Sequence, residues 1–260
     1  MPLSPGEREE YESDLIAFCD RELDLLGEIR GLRTLYAGGA AALWIEGLSQ
    51  RLGEEGELHV LELDAGKVEA ARELLREAAL AAPVRLIRGD VHAPPFEAGS
   101  FDLVYSAGLF HELDVSERPA EAALEGMAAL LRPGGRLATS DFVDQVPALQ
   151  LEDEALEAEL ARAGGRRLYG IGPPERLVKL HRKVLSGLRW HISPPFRIRH
   201  LGRVIVEGDD FAQRARGSGL LRRRARFLER VRREGYTRPA TLYVEGFAPT
   251  VPGSRSRGRS

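Results

Sequence analysis

The residues best suited to chemistry recur at intervals through the first half of the chain. Gly38 and Gly39 follow the short apolar run TLYA, Asp64 comes 26 residues after Gly38, and Asp90 ends a third apolar run. Glycines that open a helix let backbone approach a ligand closely, and the unpaired N–H groups there favour an anion or carboxylate. An acid closing a second strand, as Asp64 would, can accept both hydroxyls of a ribose. Asp90, closing a third, is placed to accept from an exocyclic amine such as adenine N6. Ser106 to Glu112 leave a fourth strand and would line the floor beside a reacting centre. Within that stretch His111 is the candidate catalytic residue, a base for a proton from an attacking hydroxyl or activated carbon. The competing role for His111 is a structural hydrogen bond inside its loop.

Holding these residues together requires strands and helices in alternation. TLYA (34–37), ELHVLELD (57–64), VRLIRGD (84–90), SFDLVYSAG (100–108) and RLATSDFV (136–143) read as strands. Helical stretches separate them, through Leu52, over 66–80 and around 116–131. This rhythm predicts a parallel sheet covered on both faces. In such a sheet ligands bind outside the carboxyl ends of the strands, where the strand order reverses. A helix over 11–29, with Leu15, Ile16, Cys19, Leu23 and Leu26 at helical spacing, precedes the first strand. Beyond Asp144 the rhythm breaks. Leu149, Leu156 and Leu160 suggest one helix; Leu177, Val184, Leu185 and Leu188 suggest another, opened by Pro173-Pro174. His181 falls on the apolar side of the latter, where a satisfied buried histidine is the expectation. A strand is expected within 197–208, a basic amphipathic helix over 220–233 and a last strand over 240–248.

The segments TLYAGGAAALW, HVLELDAGKVEAAREL, IRGDVHAPPFEAGSFDLVYSAGLFHEL and LLRPGGRLATSDF, within residues 33–143, resemble the successive motifs of class I S-adenosylmethionine-dependent methyltransferases. Their nearest likeness is the small-molecule branch that includes the quinone C-methyltransferases. The resemblance implies a Rossmann-like α/β fold: a mostly parallel, seven-stranded sheet with helices on both faces and a helical insertion or cap. It also implies S-adenosylmethionine as cofactor, with Asp64 on the ribose and Asp90 and Val91 on the adenine. The turn at Ala37, Gly38 and Gly39 would take the methionine end, and Ala65 and Ser106 complete the expected cofactor-binding set. The first motif departs from the family: Tyr36 stands where an acid is usual, and Ala40 and Ala42 replace its second and third glycines. That removes a partner of the cofactor ammonium and adds a methyl where backbone should pass close to ligand.

The expected organisation is an N-terminal helical cap (1–30), a cofactor-binding core (31–144), a helical substrate cap (145–200), a completion of the sheet (201–248) and a disordered tail (249–260). Composition narrows the rest. The chain has 260 residues, 37 basic and 40 acidic side chains, 43% hydrophobic residues and one cysteine. Cys19 alone excludes an intramolecular disulfide and a multi-cysteine zinc site, so no metal is expected. No apolar run is long enough for a membrane span, and the polar, acidic start does not read as a signal peptide, which favours a cytoplasmic protein. The leading expectation is methyl transfer to a small organic acceptor, with a homodimer left open. Two alternatives remain. One is a catalytically silent binding or scaffold protein, suggested by the altered first motif. The other is an RNA-directed enzyme, suggested by 13 arginines against five acids between Arg197 and Arg238. Against RNA stand the apolar stripe Phe227, Leu228 and Val231 and the absence of any recognisable RNA-binding module. The G-x-G-x-x-G spacing of dinucleotide oxidoreductases is also absent.

Overall fold

A computed structural model describes residues 2–113, 118–143, 148–163, 172–215 and 217–248. The expected tail over 249–260 lies outside them. The chain opens with α1 (Pro5–Asp24), whose start is fixed by a reciprocal cap: Ser4 and Glu7 each bond the other's backbone N–H, and Pro5 occupies the first turn, where its missing N–H costs nothing. That cap sets the helix start six residues earlier than the apolar periodicity suggests. Then come β1 (Arg33–Ala37), α2 (Ala42–Leu52), β2 (Glu57–Glu62), α3 (Ala65–Leu74), β3 (Val84–Arg88) and β4 (Phe101–Ala107). A 3-10 turn (Phe110–Glu112), α4 (Arg118–Ala129), β5 (Leu131–Phe142) and α5 (Ala148–Ala163) follow. The chain continues through α6 (Pro174–Val184), β6 (Ser186–Ser193), α7 (Leu201–Glu207), α8 (Phe211–Arg214), α9 (Ser218–Glu234) and β7 (Thr241–Phe247).

The seven strands form one sheet in the order β3-β2-β1-β4-β5-β7-β6. The first five are parallel, while β7 runs antiparallel to both β5 and β6. Alternation along the strands divides the core. Leu35, Ala37, Leu61 and Val104 face α4 and α6, where they meet Leu124, Met127 and Leu177. Tyr36, Leu58, Val60, Leu103 and Tyr105 face the other way, against Leu23 of α1, Ile45 and Leu48 of α2 and Ala71 of α3. Both faces being covered, the strands read as nearly continuous apolar runs.

Two expectations for the second half are corrected. The segment 145–200 is not a single helical cap: β6 forms the sheet edge beside β7, and α6 packs on the sheet. Leu201–Glu207 is helical rather than a strand, entered through His200 at φ 60°. The helical elaboration is instead built from distant pieces. Leu149, Leu156 and Leu160 of α5 pack on Phe211 of α8 and on Leu220, Phe227 and Val231 of α9. No helix among the described residues is long and apolar enough to cross a membrane.

Candidate active site

Strand order reverses between β1 and β4, and a cleft of about 570 Å³ lies at their carboxyl ends. That volume falls in the usual range for small-molecule sites, roughly 300–1000 Å³. Gly38 and Gly39 line it on one side, Asp90 and Val91 on another, as expected. Gly38 has φ 75°, and its amide donates to the Leu61 carbonyl at 2.8 Å, prolonging the β1–β2 ladder into the turn. A side chain at Gly38 would meet the Leu109 methyls at 2.7 Å, and one at Gly39 would meet the Tyr36 hydroxyl at 2.5 Å. The glycine pair is therefore demanded by packing, in addition to whatever it offers a ligand.

Asp64 is not in this cleft. Strand β2 ends at Glu62, and Asp64 is the N-cap of α3, its exposed carboxylate accepting from the amides of Gly66 (2.7 Å) and Lys67 (3.0 Å). Those amides hold the Asp64 carboxyl below its ordinary pKa. The acid that lines the cleft is Glu62, which is buried and accepts the Asp64 amide at 2.8 Å through Oε1. The sequence carried a signal for this. An aspartate directly before a helical run is a preferred N-cap, so the strand had to end sooner and the earlier acid had to occupy its last position. Ala65 opens α3 and does not line the cleft. Ala37 and Ser106 lie beneath it: Ala37 in the core, and Ser106 buried in β4 with no hydrogen-bond partner for its hydroxyl. Asp90 accepts from the His92 amide at 2.9 Å, which with the His92 ring lowers its pKa despite partial burial.

A smaller cavity of about 170 Å³ adjoins the first, sharing Tyr36, Ala41, Ala107 and Gly108 with it. Tyr36, standing in place of the family's acid, is buried in the dividing wall and stacks on Tyr105 at 5.9 Å. His111 sits at this junction: its ring lies 3.4 Å from the position a side chain on Gly108 would occupy. Its Nδ1 donates to Asp141 Oδ1 at 2.8 Å, and Asp141 also accepts from the amides of Phe110 (2.6 Å), His111 (3.2 Å) and Phe142 (2.8 Å). Burial works against the imidazolium, but the bond to Asp141 and its charge outweigh this and raise the pKa of His111. Asp141 thus fixes the tautomer that leaves Nε2 as the proton acceptor. The structural reading of His111 holds, since its amide and its ring both bond Asp141; the ring packs beside Gly108 without lining either cavity.

His181 is fully buried, donating through Nδ1 to the Leu177 carbonyl and accepting at Nε2 from the Thr139 hydroxyl. Burial pulls its pKa down to about 4, so it is a neutral core residue. Beyond Glu62, sequence reading also missed Glu22 of α1, Asp141 of β5 and Arg238, all lining the smaller cavity. Nothing local marks them, since they converge from three remote parts of the chain.

This strand order, with an antiparallel seventh strand and a cleft at the β1/β4 switch point, is a Rossmann-like fold of the kind seen in solved SAM-dependent methyltransferases. Residues 35–135 match a family described as a methyltransferase domain. The chain is similar to a ubiquinone/menaquinone biosynthesis C-methyltransferase of Idiomarina loihiensis, with 31% identity over 127 residues covering 48% of this chain and 49% of that protein. It spans about half the length of the curated relatives it matches. Among solved structures it resembles a SAM-dependent methyltransferase from Aquifex aeolicus (TM-score 0.52, 15% identity, 88% of this chain and 89% of that one). It also resembles the YcgJ protein of Bacillus subtilis (TM-score 0.58, 14% identity, 90% and 99%). Those two likenesses concern the fold.

The residues present suit an adenosyl group. Glu62 presents a buried carboxylate that could accept from ribose hydroxyls, Asp90 offers a second acceptor in the same cleft, and Val91 supplies an apolar surface. At the other end Tyr36 and Leu109 narrow the space over the glycines.

Proposed function

We propose that this chain transfers the methyl group of S-adenosylmethionine to a small organic acceptor. The observation that carries the reading is the pair of adjoining cavities, a larger one with acids suited to a nucleoside and a smaller one reached past Tyr36 and Gly108. When bound, the cofactor would supply a methyl group already activated on a sulfonium. Glu62 accepts from the ribose hydroxyls and Asp90 from the adenine amine, while Val91 backs the ring. Gly38 and Gly39 leave room at the methionine end. Tyr36 bounds the passage between the cavities, where it would help to orient an acceptor towards the methyl group. His111 takes the acceptor's proton at Nε2, and Asp141 holds the imidazole in position for it. The kinship with quinone C-methyltransferases favours carbon as the methylated atom. Buried Cys19 suits a reducing, cytoplasmic setting.

The arginine tract argues for its own internal use. Arg214, Arg223, Arg224 and Arg230 pair with Glu157, Glu159, Asp153 and Glu152 of α5. Their charge is thus largely committed within the protein, which speaks against an RNA substrate.

Calorimetric titration with S-adenosylhomocysteine tests the reading. Wild type is expected to bind, and Glu62→Ala to weaken binding roughly tenfold or more, as for loss of hydrogen bonds to a charged acceptor. Asp64→Ala should leave affinity intact while lowering the melting temperature through the lost helix cap. No heat from wild type at millimolar S-adenosylmethionine or S-adenosylhomocysteine would remove the proposal; an effect of Asp64→Ala in place of Glu62→Ala would overturn the assignment of the acid.

A further inference from the structure

The smaller cavity carries a chemical preference of its own. Four aromatic side chains wall it (Phe18, Tyr36, Trp44 and Phe142), and three charged groups reach it: Glu22, Asp141 and Arg238. The two acids have their partners. Glu22 is buried; its Oε1 accepts from Arg21 Nη2 at 2.8 Å, and its Oε2 from Ser140 at 2.9 Å and Thr241 at 2.8 Å. Asp141 is saturated by three amides and the His111 ring. Neither has capacity to spare for a ligand cation.

Arg238 is different. Its guanidinium lies 5.1 Å from the centre of the Phe18 ring and 5.3 Å from that of Phe142. Its Nε is buried without a hydrogen-bond partner, and the side chain forms no ion pair among the described residues. Flanking rings hold a guanidinium in place while leaving its in-plane donors unspent. A buried cation with unmet donors is costly unless something anionic meets it. A cavity of roughly 150 Å³ accommodates benzene, so about 170 Å³ beside four rings suits a single planar ring.

We propose that this cavity is the acceptor site and that Arg238 selects a compact, planar acceptor bearing an anionic oxygen, which it binds through its free guanidinium donors. This rests on the methyl-transfer reading for the word acceptor, though the anion preference stands on the cavity alone. Such an oxygen would lie in the same small space as Asp141, whose carboxylate holds the His111 ring just outside it.

Benzoate and its neutral isostere benzamide serve as probes, titrated into the full chain with and without saturating S-adenosylhomocysteine. Benzoate is expected to bind at least about tenfold more tightly than benzamide. Arg238→Gln should abolish that difference, Arg238→Lys should keep part of it, and exposed Arg222→Gln should keep all of it. Melting curves for each variant separate a lost anchor from a lost fold; were Arg238→Gln to misfold, chloride competition against benzoate on wild type would report the same site. Equal binding of benzoate and benzamide, or an undiminished preference in folded Arg238→Gln, overturns the inference. Benzoate selectivity without any binding of S-adenosylhomocysteine would retain the anion site and sink methyl transfer; the reverse pattern would do the opposite.

Discussion

Asp141 is 0% exposed at its side chain, yet its carboxylate is surrounded by donors, and one of them is the His111 ring. The consequence is a histidine whose pKa is raised above its ordinary value of about 6.5. The sign of the pH effect follows. A base must be neutral, so methyl transfer limited by proton removal should rise with pH through an inflection above 6.5. The stabilising contribution of the charged pair runs the other way, being complete below the unfolded pKa and lost as pH rises through the folded one. Asp141→Asn removes the charge that favours imidazolium and should move the kcat/KM inflection downward while reducing the rate. A pH profile that is flat, or identical in Asp141→Asn, would leave His111 with only its structural role. His111 itself was legible in the sequence as the one histidine leaving the fourth strand. Asp141 was not, because 30 residues separate the partners.

The first-motif turn shows what an element adds to its residues. Gly38 and Gly39 could be recognised from their place after an apolar run, and the departure at Tyr36, Ala40 and Ala42 could be read as lost contacts. The structure gives that departure a compensating shape: Tyr36 folds its ring over Gly39 and Leu109 closes over Gly38. Gly38→Ala is therefore expected to destabilise by roughly 1–2 kcal/mol from left-handed backbone alone, with an added steric cost against Leu109. Urea denaturation measures it, and a variant as stable as wild type would show that the turn relaxes out of this conformation. Strand β2 ends two residues before the expected boundary, so that Glu62 lines the cleft and Asp64 caps α3. A strand end presents its side chain to the cleft while a helix cap turns its side chain back on its own amides, so two acids two residues apart acquire unrelated roles.

Across the whole molecule the uneven charge of the sequence resolves into contact. The excess of arginine after residue 197 meets acids of α1, of α5 and of the loop before α8: Arg203 pairs with Glu7, Arg199 with Glu10 and Asp14, and Arg224 with Asp153 and Asp209. These pairs are unequal in worth. Arg224 is nearly buried, stacked on Phe211 and Phe227, with both its acids half-buried or better. Removing it strands those carboxylates, so Arg224→Ala should cost roughly 3–5 kcal/mol. Exposed Arg223, although paired with Glu159, should contribute little, and Arg223→Ala should scarcely move the melting temperature. Equal effects of the two substitutions in thermal melts would mean that the helical layer does not rest on this buried pair.

Local pattern sufficed for the order of strands and helices through residue 143, and for placing the glycine turn and Asp90 at the cleft, because hydrophobic period and turn chemistry act over a few residues. Tertiary structure alone decided that Arg238 lies between rings from α1 and β5, and that β6 joins the sheet beside β7. Each of those outcomes joins segments far apart in the chain, and no short window of sequence contains both partners.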